Sequence, residues 1–249
     1  MLPGAFSRTA LLLGDDCLTW FSQVRIAVAG IGGVGSYAAE ALARAGIGRL
    51  TLIDGDVVQP SNINRQLHSL ITTIGQPKVS AMAERLRQIN PDLSISPQQT
   101  IVTPENIAEI LDTQYDLVLD AIDTFGAKLA LISCCVERGI PVVSSMGAAG
   151  KLDPARIRVA DIADSQGCRL ARKLRKLLRR EGIASGVRVV YSDEPFAAHG
   201  FGRCSVEEGD VRRPLGSISY LPAMFGLRMA AEAIRLLMEQ EGKICASKG

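Results

Sequence analysis

The apolar positions fall into short unbroken runs separated by longer stretches of helical periodicity. Val24–Ala29 is an almost unbroken apolar run, and Leu50–Ile53, Leu117–Ala121 and Val142–Ser145 are further mainly apolar ones, the pattern of parallel strands buried on both faces. Leu93–Ser96 is a weaker strand of the same series. Between them lie an Ala-rich helix after Gly35 and an amphipathic one with Val79, Met82, Leu86 and Ile89 on one face. Two further helices are expected over Pro104–Leu111 and Leu129–Glu137. Repeated strand–helix alternation predicts a doubly wound sheet with right-handed crossovers.

After Gly147 the pattern changes. A strand around Ile157–Ala160 precedes CRLARKLRKLLRREG, and Val187–Ser192 reads as another strand. Asp193–Pro214 is a charged, glycine-bearing loop, of a length that is usually functional or disordered. The apolar stretch Ile218–Met238 carries Arg228, Glu232 and Arg235, each expensive at a bilayer centre, so it reads as a core-packing closing helix. The expected organisation is one domain over 1–249, with a nucleotide-binding part at 1–146 and a C-terminal part at 147–249.

The stretch from Val24 to Asp56 carries the first chemistry. Gly30, Gly32, Gly33 and Gly35 join a strand to a helix, and Asp54 ends the next strand. Helix N-termini present unpaired N–H groups and a favourable dipole to anions. Glycines let a phosphate approach that backbone, and the aspartate can accept ribose hydroxyls. GIGGVG also satisfies the dinucleotide pattern, so these residues alone leave open a nucleotide, a dinucleotide or a tight structural turn. The fold class is therefore α/β and Rossmann-like, doubly wound and mainly parallel, with an antiparallel C-terminal extension.

Composition narrows the partners. The 249 residues carry a formal charge of only +2, so any affinity for nucleic acid must come from local clustering. Aromatic side chains are too few for a base-stacking surface. Clustering is present. Arg169, Arg172, Lys173, Arg175, Lys176, Arg179 and Arg180 share one helical arc, opposite Leu170, Leu174, Leu177 and Leu178. Seven cations with no acid among them repel one another. This face is either solvated surface or a contact for a phosphate backbone.

The six cysteines form no C-x-x-C pair and no signal-peptide pattern precedes them. They read as reduced packing thiols of a cytoplasmic protein, without the paired ligands of a structural zinc site. Cys204, in the long loop, is the one thiol considered near a site mouth. Downstream of the glycine turn, Ser61, Asn62, Asn64, Arg65 and Gln66 make a loop dense in donors, and Lys78 opens the next helix. Asp54 with Asp56, and Asp120 with Asp123, lie at strand ends where open α/β sheets bind ligands. A lone aspartate at such a place more often caps a helix. His68 reads as a structural hydrogen-bonder, and Arg8 as a surface charge.

GIGGVGS, LIDGDVV, SNINRQ, GQPK and DAIDT, in this order, resemble the adenylating superfamily of ubiquitin-activating, molybdopterin-synthase-activating and thiamin-sulfur-carrier-activating enzymes, over roughly Phe6–Ser145. FSRTALLLG, GAAGKLDP, LARKLRKLLRREGI, VVYSDEP and PLGSISYLP look closest, within it, to the tRNA threonylcarbamoyladenosine dehydratases. The resemblance implies an ATP-dependent cyclisation of that nucleoside in tRNA, next to the anticodon. The threonyl carboxylate would be adenylated, with AMP and pyrophosphate released. It implies an ATP site of Gly30, Gly32, Gly33, Asp54, Asn62, Asn64, Arg65 and Lys78, with Asp123 helping to hold Mg²⁺. Asp56 would lie beside the metal or one contact removed from it. Arg8 would reach into the other subunit of a homodimer, and the basic helix would bind tRNA. A monovalent cation and a sulfurtransferase-like accessory protein are left open.

Two other functions share parts of this pattern. An activator of a sulfur-carrier or ubiquitin-like protein would use the same adenylation step, but such enzymes often carry the C-x-x-C pairs missing here. A nicotinamide-dependent oxidoreductase explains the glycines and Asp54, and leaves SNINRQ and Lys78 without a role. A non-catalytic tRNA-binding scaffold is the third alternative.

Overall fold

The computed structural model describes residues 4–195 and 216–242. Its element order is α1 (Ser7–Leu13), α2 (Asp15–Phe21), β1 (Arg25–Ala29), α3 (Gly35–Ala45), β2 (Arg49–Ile53), α4 (Lys78–Ile89), β3 (Ser94–Gln98), α5 (Ile107–Ile110), β4 (Leu117–Asp120), α6 (Phe125–Glu137), β5 (Val142–Ser145), β6 (Ile157–Asp161), α7 (Arg169–Arg180), β7 (Arg188–Ser192) and α8 (Tyr220–Gln240). Seven strands form one sheet in the order β3-β2-β1-β4-β5-β7-β6. Every neighbouring pair is parallel except β6 with β7. The doubly wound sheet is thus present, with its antiparallel pair at the C-terminal edge.

Strand alternation divides the core into two layers. Ile26, Val28, Leu50 and Leu52 point to the face covered by α3, α4 and α8, whose Leu42, Met82, Leu86, Phe225 and Met229 pack there. Ala27, Ala29 and Val118 point to the other face, under Leu131, Ile132 and Cys135 of α6 and Leu174 and Leu178 of α7. The C-terminal strands extend the same sheet, and α8 lies across α3, β4 and β5. A Cβ on Gly226 would come within 2.3 Å of the Val34 carbonyl oxygen. Glycine there lets α8 sit directly on the start of α3.

Two helices depart from the sequence pattern. The expected helix over Pro104–Leu111 is reduced to Ile107–Ile110, because the Asn106 side chain accepts from Thr103 N–H and donates to Ile101 O. That local bonding holds the preceding backbone in a turn. Conversely α6 begins four residues earlier than Leu129, at Phe125. Gly126, a weak helix former, masks that first turn in the sequence. Among the described residues no helix is long and apolar enough to cross a membrane.

Candidate active site

Strand order reverses between β1 and β4, so their carboxyl ends border the crevice where sheets of this kind take a ligand. Gly30 closes β1 with its N–H donated to Ile53 O at 2.8 Å. Its φ is +88°, and a Cβ would lie 2.6 Å from Ala121 O. Only glycine fits there. Gly32 differs. The nearest atom to a Cβ at that position is Gln66 Nε2, 3.8 Å away. The turn is therefore closed against β4 at Gly30 and open at Gly32. The first turn of α3 holds no acidic side chain, so nothing within that turn competes with an anion for its N–H groups.

Cations stand around this opening. A Cβ on Gly33 would meet Pro222 Cβ at 3.1 Å and Arg65 Cγ at 3.3 Å, so Arg65 and the start of α8 both press on the turn. The Arg65 Nη1 donates to Ser61 O at 2.8 Å and Asn64 Oδ1 at 2.9 Å. Asn64 Nδ2 in turn donates to Ser217 O at 3.1 Å. Arg65 is thereby held by one nitrogen, and Nε and Nη2 have no hydrogen-bond partner among the described residues. Asn62, in the same loop, is buried, and its Oδ1 accepts the Gln59 N–H at 3.0 Å.

Lys78 arrives by a second local device. A bridge pairs Val57 with Pro77, and Lys78 N–H donates to Asp56 O at 3.0 Å. The first residue of α4 is so fixed beside the end of β2. Its buried Nζ lies 2.6 Å from Asp56 Oδ2 and 3.9 Å from Asp54 Oδ1. Asp54 spends Oδ2 on Ile31 N–H at 2.7 Å and Oδ1 on Asp56 N–H at 2.9 Å. It ties the glycine turn to β2, and each oxygen keeps a second lone pair for a hydroxyl. Burial pushes its pKa up, against Lys78 and these two N–H groups, which pull it down.

His68 corrects an expectation. It is 2% exposed, yet neither ring nitrogen has a hydrogen-bond partner. Burial, with Lys78 and Arg85 nearby, pushes its pKa down to about 4. It is a buried neutral imidazole, not a structural hydrogen-bonder.

Asp123 is exposed past the end of β4 and has no hydrogen-bond or ion-pair partner among the described residues. Neither aspartate of this pair caps α6, whose N-cap is Thr124. Asp120 is wholly buried against Lys128, a residue the sequence reading did not single out. The one signal for it is a lysine inside an otherwise apolar helix. Arg8 lies exposed on α1. Its neighbour Phe6 packs near Gly46, the end of α3 away from the glycine turn, and α3 is about 16 Å long.

On α7, Arg169, Arg172, Lys173, Lys176, Arg179 and Arg180 are exposed. Arg175 is not part of that face. Its Nη1 folds back to Ile162 O at 3.1 Å and to Ser165 O and Oγ at 2.7 and 2.8 Å. Lys173 Nζ stands 4.1 Å over the Phe125 ring at the start of α6, two residues past Asp123. A cavity of about 510 Å³ at the amino end of α7 is lined by Ser165, Gln166, Gly167, Cys168, Arg169, Arg172 and Arg175. Cys204 lies outside the described residues. Cys135 is buried in the core, where burial and the Asp120 charge push its thiol up to about 12.

A glycine turn at the switch point, open at Gly32 and flanked by Arg65, Lys78 and Asp54, defines a Rossmann-like protein built to receive a nucleotide phosphate. The chain belongs to the ThiF family, whose model matches residues 6–247. It is 41% identical over 240 residues to a tRNA threonylcarbamoyladenosine dehydratase of Bacillus subtilis, covering 94% of each chain. Against the Escherichia coli tRNA threonylcarbamoyladenosine dehydratase the identity is 39% over 254 residues, with 96% and 95% covered. A crystal structure of the Escherichia coli tRNA N6-threonylcarbamoyladenosine dehydratase in complex with ATP superposes with a TM-score of 0.87, over 96% of both chains at 39% identity.

Proposed function

We propose that this chain is an ATP-dependent tRNA threonylcarbamoyladenosine dehydratase. The observation that carries the reading is the end-to-end similarity to enzymes of that name, one of them crystallised with ATP. The site is compatible with it. A carboxylate resists attack because its charge repels nucleophiles, and its own approach to a triphosphate is a meeting of anions. Cations fixed beforehand around the α-phosphorus lower that barrier, each worth about 3 kcal/mol in comparable sites. Arg65 and Lys78 are groups of this kind, held by Ser61, Asn64 and Asp56.

In the proposed reaction a threonyl carboxylate oxygen bonds to the α-phosphorus and the bond to pyrophosphate breaks. The carbamoyl group of the same substituent then attacks the acyl carbon. The acyl–oxygen bond breaks, AMP leaves with that oxygen, and the nucleoside is lighter by one water. Since the attacking group belongs to the same substituent, the protein need only orient it. A reactive thiol is not needed.

Mg²⁺ would neutralise phosphate charge as a Lewis acid. Among the described residues no group of three His, Cys, Asp or Glu could hold a metal. That fits an ion carried in by the triphosphate, since Mg²⁺ takes one or two carboxylates and keeps substrate oxygens and water. Asp123, free and exposed, is the carboxylate assigned to it. Gly30, Gly32, Gly33 and Asp54 are assigned to the rest of the nucleotide.

The exposed cations of α7 are assigned to tRNA phosphates, with Lys173 linking that face to the Asp123 segment. Arg8 is assigned to the partner's site in a homodimer, a reading supported by its distance from its own glycine turn. Leu11 and Leu12 beside it, 81% and 82% exposed, are suited to a subunit contact. A tRNA substrate accords with a cytoplasmic location. The deciding experiment incubates modified tRNA with protein and ATP and analyses nucleosides and nucleotides by mass spectrometry. Loss of one water with stoichiometric AMP supports the reading. ADP, or an unchanged nucleoside, refutes it.

A further inference from the structure

Directly beneath the segment that bears Asp123 lies an ion pair with no part in the proposed reaction. The Lys128 and Asp120 side chains are 1% and 0% exposed. Lys128 Nζ donates to Asp120 Oδ2 at 2.6 Å, to Ser145 O at 2.9 Å and to Ser144 Oγ at 3.4 Å. Ser144 Oγ donates to the same Asp120 oxygen at 2.5 Å, and Asp120 Oδ1 accepts the Ile122 N–H at 3.1 Å. Ala121 N–H donates to Ala29 O at 2.8 Å, and Ala121 O occupies the space that a Cβ on Gly30 would need. One knot thus joins β1, β4, β5 and α6.

A buried ion pair is a poor way to gain stability, because the cost of removing two charges from water can exceed their attraction. Apolar side chains of similar volume would fill this space as well. They could not accept the Ile122 N–H, nor fasten both ends of residues 121–127 to one point. We propose that the Asp120–Lys128 pair is a positioning device: it fixes residues 121–124, and so sets Asp123 against the glycine turn for the nucleotide. This rests on the reading that Asp123 serves the nucleotide site. Asp120 and Lys128 are positioning residues, acting through that segment.

The test uses the full chain with Asp120→Leu and Lys128→Met together, which removes both charges and leaves no unpaired ion in the core. Two readouts are taken: amide hydrogen exchange of residues 121–124, and the kinetics of AMP formation with modified tRNA. Exchange at least tenfold faster there, with kcat down tenfold or more and KM for ATP within threefold, supports the proposal. Asp120→Asn combined with Lys128→Met, which keeps an acceptor for the Ile122 N–H and likewise leaves no unpaired ion, should restore part of the protection at residue 122 but not kcat; full recovery of both would overturn the role of the pair. A folded double variant with wild-type exchange and wild-type kcat overturns it. Should the double variant fail to fold, Ser144→Ala decides by the same readouts, at least threefold faster exchange supporting the proposal and no change overturning it. Exchange is measured without turnover, so a wild-type protein that makes no AMP would refute the proposed function and leave this result standing.

Discussion

His68 makes the stability of this protein depend on pH in a direction that can be worked out in advance. Its imidazole is 2% exposed with both nitrogens unpaired, and burial, Lys78 and Arg85 lower its pKa from 6.5 to about 4. Between those pH values the unfolded chain binds a proton that the folded chain refuses. Stability therefore falls as pH falls. The contribution is intact above 6.5 and is lost progressively down to 4. A depression of this size corresponds to roughly 3 kcal/mol. His68→Leu removes the titration and two orphaned polar atoms together. Urea unfolding of both proteins, measured from pH 7.5 to 4.5, isolates the histidine because other groups titrate alike in each. The wild type should lose about 1.4 kcal/mol per pH unit relative to the variant below pH 6.5. Parallel profiles, or an imidazole NMR titration of His68 with a midpoint near 6.5, would refute the reasoning.

The glycines should separate by role. Gly30→Ala meets both the positive φ and the Ala121 carbonyl oxygen, and should cost about 2–4 kcal/mol in urea unfolding. Gly32→Ala has room and should keep the fold, while ATP affinity measured by calorimetry falls at least tenfold. Normal ATP binding by that variant would make the turn merely structural. Lys78→Met and Arg65→Gln should each lower AMP formation by a factor on the order of 10²–10³, read by chromatography of nucleotides. Wild-type turnover in either ends its assignment. Neutralising Arg172, Lys173 and Lys176 together should weaken tRNA binding and flatten its dependence on salt, measured by filter binding at several ionic strengths. An unchanged slope would return α7 to an ordinary solvated face.

The central strands β1, β2, β4, β5 and β7 were legible because they are buried on both sides and are therefore spelled as nearly apolar runs. Val142–Ser145 matches β5 at both ends, and the other strands agree within two residues. The glycine turn was legible because its shape excludes side chains. Lys78 announced itself by following a proline at the head of an amphipathic helix. The rest depends on three-dimensional neighbours. A polar residue in a loop can face a ligand, fold the loop or do both, and the bond from Gln59 N–H to Asn62 Oδ1 is not spelled in the sequence. A helical arc shows which residues share a side, not which of them curl back, as Arg175 does. Lys128 was hidden because its partner Asp120 and the Ser144–Ser145 strand end meet it only once β4 and β5 are adjacent. His68 misled for a related reason. Its missing partners become visible only when the space around it is filled.

The seat of α8 on α3 has a consequence for how the protein is made. Gly33 in the turn abuts Pro222, and the start of α3 abuts Gly226, so the glycine turn is floored by α8, which follows all seven described strands along the chain. A ribosome that has delivered those seven strands has still not delivered that floor. Truncated products would then carry the recognisable glycine sequence without a competent cradle, and are expected to bind ATP poorly.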